Sequence, residues 1–316
     1  MRITSQALNS GHGDTEPPHK QTARLLKLAT AASVAAACLL ITIKAFAYVN
    51  TDAVSILASL LDSVMDAGAS LLNLIAVRYA LTPADKHHRF GHGKAESLAA
   101  LFQAGFILAS SAFLIHEAVH RLLAPVPVTE VRSGVIVMIL AMTVTTALVS
   151  LQRYVVRRTG SMAIHADSVH YRADLLSNAA TLVALLLAGQ GITKADPVFA
   201  LLIAGYLLVS TREILRQALN ELLDRELPET QRQAITKIAL TNSGVQGMHD
   251  LRTRRSGRTP IIQLHLEMDA DISLREAHRI ADEVEAAISQ TFPGADIVVH
   301  QDPAGVVETQ RWQSDD

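Results

Sequence analysis

The chain has 316 residues, of which 49% are hydrophobic and 18% charged, and its mean hydropathy is positive at +0.25. This balance excludes an ordinary soluble domain and predicts a membrane protein of several spans with a soluble part. The net charge is −2, and residues 225–316 carry 10 Lys and Arg against 15 Asp and Glu, which excludes the basic surface that nucleic-acid binding needs. The single cysteine, Cys38, excludes an intramolecular disulfide and a thiolate-rich metal site.

The N-terminal residues 1–22 are polar and include Pro17 and Pro18, which predicts a disordered tail. Six segments then approach the roughly 20 mainly apolar residues that a helix needs to cross a bilayer. We predict a six-helix transmembrane domain over 23–224, with spans near 25–47, 53–80, 96–122, 132–157, 163–189 and 195–216. The second and fifth spans are the least hydrophobic, so they should face the interior of the bundle.

Lys and Arg concentrate before the first span and in the second and fourth connections. Cytoplasmic connections of membrane proteins carry an excess of these residues. We therefore predict that both termini and the even-numbered connections lie in the cytoplasm.

After Asp224 the pattern becomes that of a small α+β domain, which we assign to 225–304, followed by a tail over 305–316. Helices are predicted over 228–240 and 274–290, and a last strand over 296–300. Between the helices, residues 261–268 alternate apolar and polar side chains, so they form a strand with His265 on its polar face. Ser256 and Gly257 predict a hairpin turn before that strand.

Two pairs of ionisable residues lie four positions apart inside apolar segments: Asp62 with Asp66 in the second span, and His170 with Asp174 in the fifth. Residues four apart share one face of a helix, so both side chains of each pair point the same way. Each aspartate at the centre of a membrane helix costs about 2.5 to 3.5 kcal/mol, which a bound cation would offset. We predict that these four residues, the quartet, bind a divalent cation; hydrogen bonding between helices is the alternative.

The second connection contains the run D-K-H-H-R-F-G-H-G-K, in which Asp85, His88 and His92 follow at short spacing. One carboxylate and two imidazoles can wrap a single ion, and the glycines on either side of His92 let the backbone turn around it. We predict a second metal site here. His87 should point elsewhere in most geometries, so it is left out.

The soluble domain holds a third set of candidate ligands: His249, His265, His278, His300 and Asp302. His300 and Asp302 are two apart, so they emerge on one face if the last strand continues between them. The set predicts two zinc-like ions with Asp302 as the bridge. The alternative is five solvated surface residues.

A fourth motif, H-E-A-V-H at His116, Glu117 and His120, matches the H-E-x-x-H of zinc peptidases. Such a site needs a third ligand at the same membrane depth. The predicted topology places His116 at the outer end of the third span, across the bilayer from Asp85 and His88. An interfacial helix end, where polar side chains reach water, is therefore favoured.

Taken together, these residues resemble the cation diffusion facilitator family, in particular its bacterial zinc and ferrous-iron efflux branch. The resemblance covers nearly the whole chain after the tail. It rests on S-L-L-D-S-V-M-D in the second span, F-G-H-G-K-A-E-S after it, H-Y-R-A-D in the fifth span, L-L-D-R at the domain junction, and H-D-L-R-T-R, I-I-Q-L-H-L-E-M and V-V-H-Q-D-P beyond. The chain lacks the long His-rich fourth connection of many eukaryotic relatives, which also favours the bacterial branch.

The resemblance implies an α-helical polytopic protein of the bacterial inner membrane with a cytoplasmic, metallochaperone-like α+β domain. It implies that the quartet is the transport site, that the second connection carries a loop site, and that the soluble-domain ligands form a binuclear site at a homodimer interface. The family's homodimer also implies a charge interlock, which here would pair Lys94 with Asp224.

The resemblance further implies a secondary transporter, not an enzyme, that moves divalent metal ions out of the cytoplasm by alternating access. We expect exchange for protons, chiefly at His170, because imidazole has an unperturbed pKa near 6.5. One imidazole with carboxylates suits Zn²⁺, and Cd²⁺ or Fe²⁺ as further substrates. Zn²⁺ is also expected as a structural or regulatory ion. A non-transporting zinc sensor or scaffold and, less favoured, the zinc peptidase stay open as alternatives.

Overall fold

A computed structural model describes residues 18–51, 54–123, 132–188 and 194–305. Within these ranges, six long helices form a bundle, and a three-stranded sheet with two helices follows. The bundle helices are α1 (Pro18–Thr51), α2 (Val54–Ala80), α3 (Lys94–Leu123), α4 (Arg132–Thr159), α5 (Met162–Ala188) and α6 (Ala195–Leu222). The later elements are α7 (Glu229–Ala239), β1 (Gly247–Ser256), β2 (Thr259–Met268), α8 (Leu274–Thr291) and β3 (Asp296–Pro303).

The six predicted spans each correspond to one of α1 to α6, which confirms a helical transmembrane fold with a small soluble domain. Five of the described helices are long and apolar enough to cross a membrane. The sixth, α5, has 27 residues but carries ionisable side chains in its first half, among them Asp167 and Asp174. These side chains lower its hydropathy without shortening the helix.

The first helix begins at Pro18, so residues 18–22, which we expected in the disordered tail, are helical. Proline fits the first turn of a helix because its missing amide hydrogen has no acceptor there in any case. The rest of the predicted N-terminal tail and most of the C-terminal tail lie outside the described residues.

Small side chains let the bundle helices approach closely. α3 packs against α5 and α6, and α1 packs against α2 and α4. The buried contact among α3, α5 and α6 includes Ala100, Ala104, Ala166, Ala173 and Ala218. In the absence of a hydrophobic force between helices in lipid, such close contact is a main source of their association.

The soluble domain matches its sequence pattern. β1 and β2 form an antiparallel hairpin, and β3 adds parallel to β2. The turn lies at Gly257, whose φ of 61° favours glycine. Ile262, Leu264 and Leu266 of β2 are buried with apolar residues of α8, so His265 lies on the opposite face of the sheet.

The hairpin packs directly against the second connection of the bundle. Ser256 Oγ donates a hydrogen bond to the carbonyl of Phe90 at 3.0 Å, and the guanidinium of Arg254 lies 4.8 Å from the centre of the Phe90 ring. A Cβ atom added to Gly93 would lie 2.6 Å from the carbonyl oxygen of Ser256, so only glycine permits this approach. The second connection and the soluble domain therefore lie at the same end of the bundle.

Candidate metal centres

The quartet comes from α2 and α5, which contact each other, and three of its four side chains meet. His170 Nε2 lies 2.8 Å from Asp66 Oδ1 and 3.7 Å from Asp174 Oδ2. One ligand atom from each residue lies within 4.8 Å of the other two, so one cation could bind all three. We name Asp66, His170 and Asp174 the bundle group.

Asp62, the fourth quartet residue, stands outside that cluster but lines the same cavity. The cavity holds about 450 Å³ and is lined by Asp62, His170 and Asp174 with apolar residues such as Phe106 and Ile203. A cation in this cavity would therefore lie beside the carboxylates of Asp62 and Asp174. Asp66 does not line the cavity, but its carboxylate is hydrogen-bonded to His170, which does.

A carboxylate that the sequence reasoning left unassigned positions α5. Asp167 is 1% exposed, and its Oδ2 accepts hydrogen bonds from Ser33 Oγ and Gln152 Nε2, both at 2.7 Å. These bonds join α5 to α1 and α4. The signal in the sequence is a second acidic residue on the fifth span, beside Asp174 and one turn before His170.

The second connection brings Asp85, His88 and His92 together as predicted from their spacing, and we name them the loop group. His88 Nδ1 lies 3.5 Å from Asp85 Oδ1, and His92 Nε2 lies 3.3 Å from Asp85 Oδ2. His92 Nδ1 lies 3.2 Å from the carbonyl oxygen of Thr82, which accepts its hydrogen and leaves Nε2 free for a metal. The loop group can therefore hold one ion with an oriented imidazole.

Backbone amides also keep the Asp85 carboxylate in the ionised form that binds a cation. The amides of His88 and His87 donate to Asp85 Oδ1 at 2.7 Å and 2.8 Å. These bonds hold the pKa of Asp85 below its usual value, so the carboxylate stays ionised. Only the backbone of His87 contributes here, in agreement with its exclusion from the predicted ligands.

The sheet brings together His249 from β1, His265 from β2 and Asp302 from β3, which we name the sheet group. Asp302 Oδ2 lies 2.8 Å from His265 Nδ1 and 3.5 Å from His249 Nε2. Its Oδ1 lies 3.0 Å from His300 Nε2. Both oxygens of one buried carboxylate thus face imidazoles, which is the arrangement that a carboxylate shared between two ions requires.

His278 does not join the sheet group within one chain. It lies on α8, 3.5 Å from Asp282 Oδ1, with 69% of its side chain exposed. α8 covers the apolar face of the sheet, whereas His265 lies on the other face. Sequence spacing could not reveal this separation, because it does not show which face of the sheet a later helix covers.

Glu267 is a neighbour of the sheet group that the sequence reasoning missed. Its Oε1 lies 2.9 Å from His249 Nδ1, so it accepts the hydrogen of the nitrogen that points away from Asp302. A Cβ atom added to the facing Gly247 would lie 2.7 Å from Glu267 Oε2, so this glycine leaves room for the carboxylate. The signal was present: Glu267 shares the polar face of β2 with His265.

Lys94 and Asp224 meet at the junction between the two domains. Lys94 Nζ lies 2.8 Å from Asp224 Oδ1, and Arg254 of the hairpin lies 3.2 Å from the same oxygen. Partial burial raises the pKa of Asp224, but the hydrogen bonds from Lys94 and Arg254 lower it by more, so the pKa lies below its usual value. The predicted pair therefore forms within a single chain.

The glutamate of the H-E-A-V-H motif forms an ion pair with an arginine one turn later on the same helix. Glu117 Oε1 accepts a hydrogen bond from Arg121 Nε at 2.7 Å, and Arg121 also lies 3.3 Å from Asp196 of α6. Among the described residues, His116 and His120 belong to no group of three potential metal ligands. The motif is the polar end of a helix held by ion pairs.

Comparison with known proteins covers both domains. A family model for the cation efflux transmembrane domain matches residues 30–223, and one for the cytoplasmic domain of cation efflux proteins matches residues 227–304. The chain is 51% identical over 291 residues to the cation-efflux pump FieF of Escherichia coli O139:H28, which covers 92% of this chain and 97% of that protein. FieF of Escherichia coli strain K12 matches with the same figures.

Two solved structures are similar to the soluble domain alone. The zinc form of the transporter CzrB is 33% identical, with a TM-score of 0.26, over 27% of this chain and 98% of that one. The metal-bound C-terminal domain of the CzcD transporter from Thermotoga maritima is 23% identical, with a TM-score of 0.25, over 26% of this chain and 100% of that one.

Proposed function

Because the chain belongs to the cation diffusion facilitator family and is a cation-efflux transporter, we propose that it exports Zn²⁺ from the cytoplasm in exchange for protons. The observation that carries this proposal is the bundle group. His170 Nε2 lies 2.8 Å from Asp66 and 3.7 Å from Asp174, on a cavity inside a membrane-spanning bundle. Ordinary structural contacts do not require three ionisable side chains at this depth.

The ligand chemistry favours zinc. A site with one imidazole nitrogen and up to three carboxylate oxygens suits tetrahedral Zn²⁺ and, by size and softness, Cd²⁺. Fe²⁺ binds such ligands more weakly, so its transport would depend on its concentration in the cell. Mg²⁺ and Ca²⁺ prefer more oxygen ligands than the quartet offers.

The exchange follows from the alternative occupants of one nitrogen. His170 Nε2 can hold either a proton or a metal ion, and the surrounding carboxylates favour a cation in both cases. Zn²⁺ enters the quartet from the cytoplasm, the bundle rocks to open outward, and protons displace the metal there. One site that binds the two ions in turn couples their movement in opposite directions.

We also propose a homodimer in a bacterial inner membrane, with both termini in the cytoplasm. The family model for the cytoplasmic domain and the exposed His278 on α8 support this arrangement. His278 would then lie toward the interface between the two copies. The loop and sheet groups would bind Zn²⁺ on the cytoplasmic side.

The proposal is tested by Zn²⁺-dependent proton flux in proteoliposomes that hold the full chain. We expect flux with the parent protein, none with Asp174→Ala, and parent flux with Asp271→Ala, an exposed carboxylate before α8. Undiminished flux in Asp174→Ala would contradict the role of the quartet. Zinc binding without any flux in the parent would favour a non-transporting sensor or scaffold instead.

A further inference from the structure

A lysine of the bundle lies beside the quartet. Lys44, near the end of α1, is half-buried, and its ammonium group donates hydrogen bonds to Ser63 Oγ at 2.6 Å and to the carbonyl oxygen of Ser59 at 3.0 Å. A charged side chain in a membrane helix is costly, and such residues mark ion pathways more often than simple contacts. A neutral amide side chain could donate the same hydrogen bonds to Ser63 and Ser59 with a smaller desolvation cost, so these bonds alone do not explain a lysine here.

The two serines place the ammonium on the face of α2 that carries the aspartates. Positions 59, 62, 63 and 66 follow the three- and four-residue spacing of one helix face. The ammonium group of Lys44 accordingly lies on the same side of α2 as Asp62 and Asp66. It is therefore part of the electrostatic environment of any cation bound in the quartet.

The position of Lys44 along the bundle is also informative. α2 runs from Val54 to Ala80 and leads into the second connection, which packs on the soluble domain. Ser59 lies earlier on α2 than either aspartate, so Lys44 approaches the quartet from the end of the bundle remote from the soluble domain. In the proposed orientation, that is the side on which metal is released.

Charge addition gives the lysine a role in the loaded state. Three carboxylates, one ammonium and one Zn²⁺ sum to zero, whereas the same site without the lysine would carry a net charge of −1. Net charge is unfavourable in a medium of low dielectric constant, and buried charges are little screened by salt. A neutral loaded site can move between its two openings at lower cost.

We infer that Lys44 is the internal counter-cation of the transport site, where it weakens the hold of the carboxylates on the metal and keeps the loaded site neutral. This inference rests on the proposed function of the quartet. Lys44 is a positioning and affinity-setting residue, since it contacts the helix of the ligands and not the metal.

The inference predicts opposite changes in two transport parameters. Loss of the positive charge should lower the KM for Zn²⁺ about tenfold, because a nearby cation no longer repels the metal. The kcat should fall as well, since the metal leaves more slowly and the loaded site is charged. A residue that only joined α1 to α2 would lower kcat with little change in KM.

Three substitutions separate charge from hydrogen bonding, measured as Zn²⁺ uptake into proteoliposomes over a range of Zn²⁺ concentrations. Lys44→Met removes the charge and the hydrogen bonds, Lys44→Gln removes the charge but keeps an amide donor, and Lys44→Arg keeps the charge. We expect low KM and low kcat in the first two, and parent values restored by arginine. If Lys44→Met does not fold, Lys44→Gln alone decides the question.

A parent-like KM in Lys44→Gln would overturn the inference. The single variant Asp174→Ala, measured beside the lysine series, distinguishes this failure from failure of the proposed function. If Asp174→Ala abolishes uptake while Lys44→Gln keeps the parent KM, the quartet stands and only the role of Lys44 falls. If Asp174→Ala leaves uptake unchanged, the quartet is not the transport site and both proposals fall.

Discussion

The bundle group differs from the loop and sheet groups in how one histidine of each group is held: His170 in the first, and His92 and His249 in the other two. In the bundle group, His170 bonds to Asp66 and lies near Asp174, both of which belong to the group itself. In the loop and sheet groups, His92 and His249 each bond through Nδ1 to an acceptor beside the site, and each turns Nε2 toward a carboxylate of the site.

This difference matches two different tasks. An imidazole whose second nitrogen is bonded to an outer acceptor is fixed in one orientation and one tautomer, which favours retention of a metal. An imidazole whose bonds go to the other ligands must reorganise whenever the cation enters or leaves. The bundle group is therefore suited to exchange, and the loop and sheet groups to retention.

Among substitutions of the histidines and their partners, the largest effect is expected from His170→Asp. This change replaces the nitrogen ligand by a fourth carboxylate, so Zn²⁺ uptake should fall roughly 100-fold, given that loss of even an outer partner costs about 10- to 100-fold. The oxygen-rich site should also favour harder ions, so any remaining uptake should shift from Zn²⁺ toward Mn²⁺. Competition uptake with both ions in proteoliposomes measures the shift.

His165 provides the matched control, because it lies on the same helix, is half-buried, and belongs to no metal-ligand group among the described residues. His165→Asp should keep most Zn²⁺ uptake and the parent order of ions. Equal losses in the two variants would mean that an added carboxylate on α5, and not a lost ligand, stops transport.

A smaller effect, on metal retention, is expected from Glu267→Gln. This change weakens the bond that orients His249, so Zn²⁺ affinity of the sheet group should fall about 10- to 100-fold while uptake through the bundle continues. Equilibrium dialysis of the full chain measures Zn²⁺ binding, and Asp174→Ala in every sample disrupts the bundle group, so that the remaining binding is that of the loop and sheet groups. The exposed Glu285 on α8 serves as control, and Glu285→Gln should bind Zn²⁺ as the parent does.

Gly247→Ala tests the same contact without touching a charged group. Its new Cβ would lie 2.7 Å from Glu267 Oε2 and displace that carboxylate. The loss of affinity should not add to that of Glu267→Gln, because both changes act on one contact. Full additivity would contradict an orienting role for Glu267.

Sequence spacing predicted the elements well and the sites in part. Apolar length predicted the helices of the bundle, and strand alternation placed His265 on the polar face of β2 because both are local properties of the chain. Contacts between separate helices and strands could not be predicted from sequence spacing. The separation of His278 from the sheet depends on which face α8 covers, and the approach of Lys44 to α2 depends on how two helices pack.

The smallest effect is expected at the domain junction. Lys94→Met removes one partner of Asp224, while Arg254 remains, so the free energy of unfolding should fall by only about 0.2–1 kcal/mol. Folding lowers the pKa of Asp224, so its contribution is present above the unfolded-state pKa near 4 and is lost as pH falls through the lower folded value.

Thermal unfolding of the parent and of Lys94→Met should therefore differ by the same small amount between pH 5 and pH 8, and the difference should vanish only in stronger acid. A difference that disappeared already near pH 6 would mean that a histidine, and not Asp224, controls the junction.

The division between exchange and retention is tested most directly by Zn²⁺ uptake at saturating zinc in two variants of the full chain. One variant combines Asp85→Ala with His265→Ala and so disrupts the loop group and the sheet group. The other carries Asp66→Ala and disrupts the bundle group. We expect the first to keep most of the parent uptake and the second to lose it. Loss of uptake in the first variant together with parent uptake in the second would contradict the assignment of transport to the bundle.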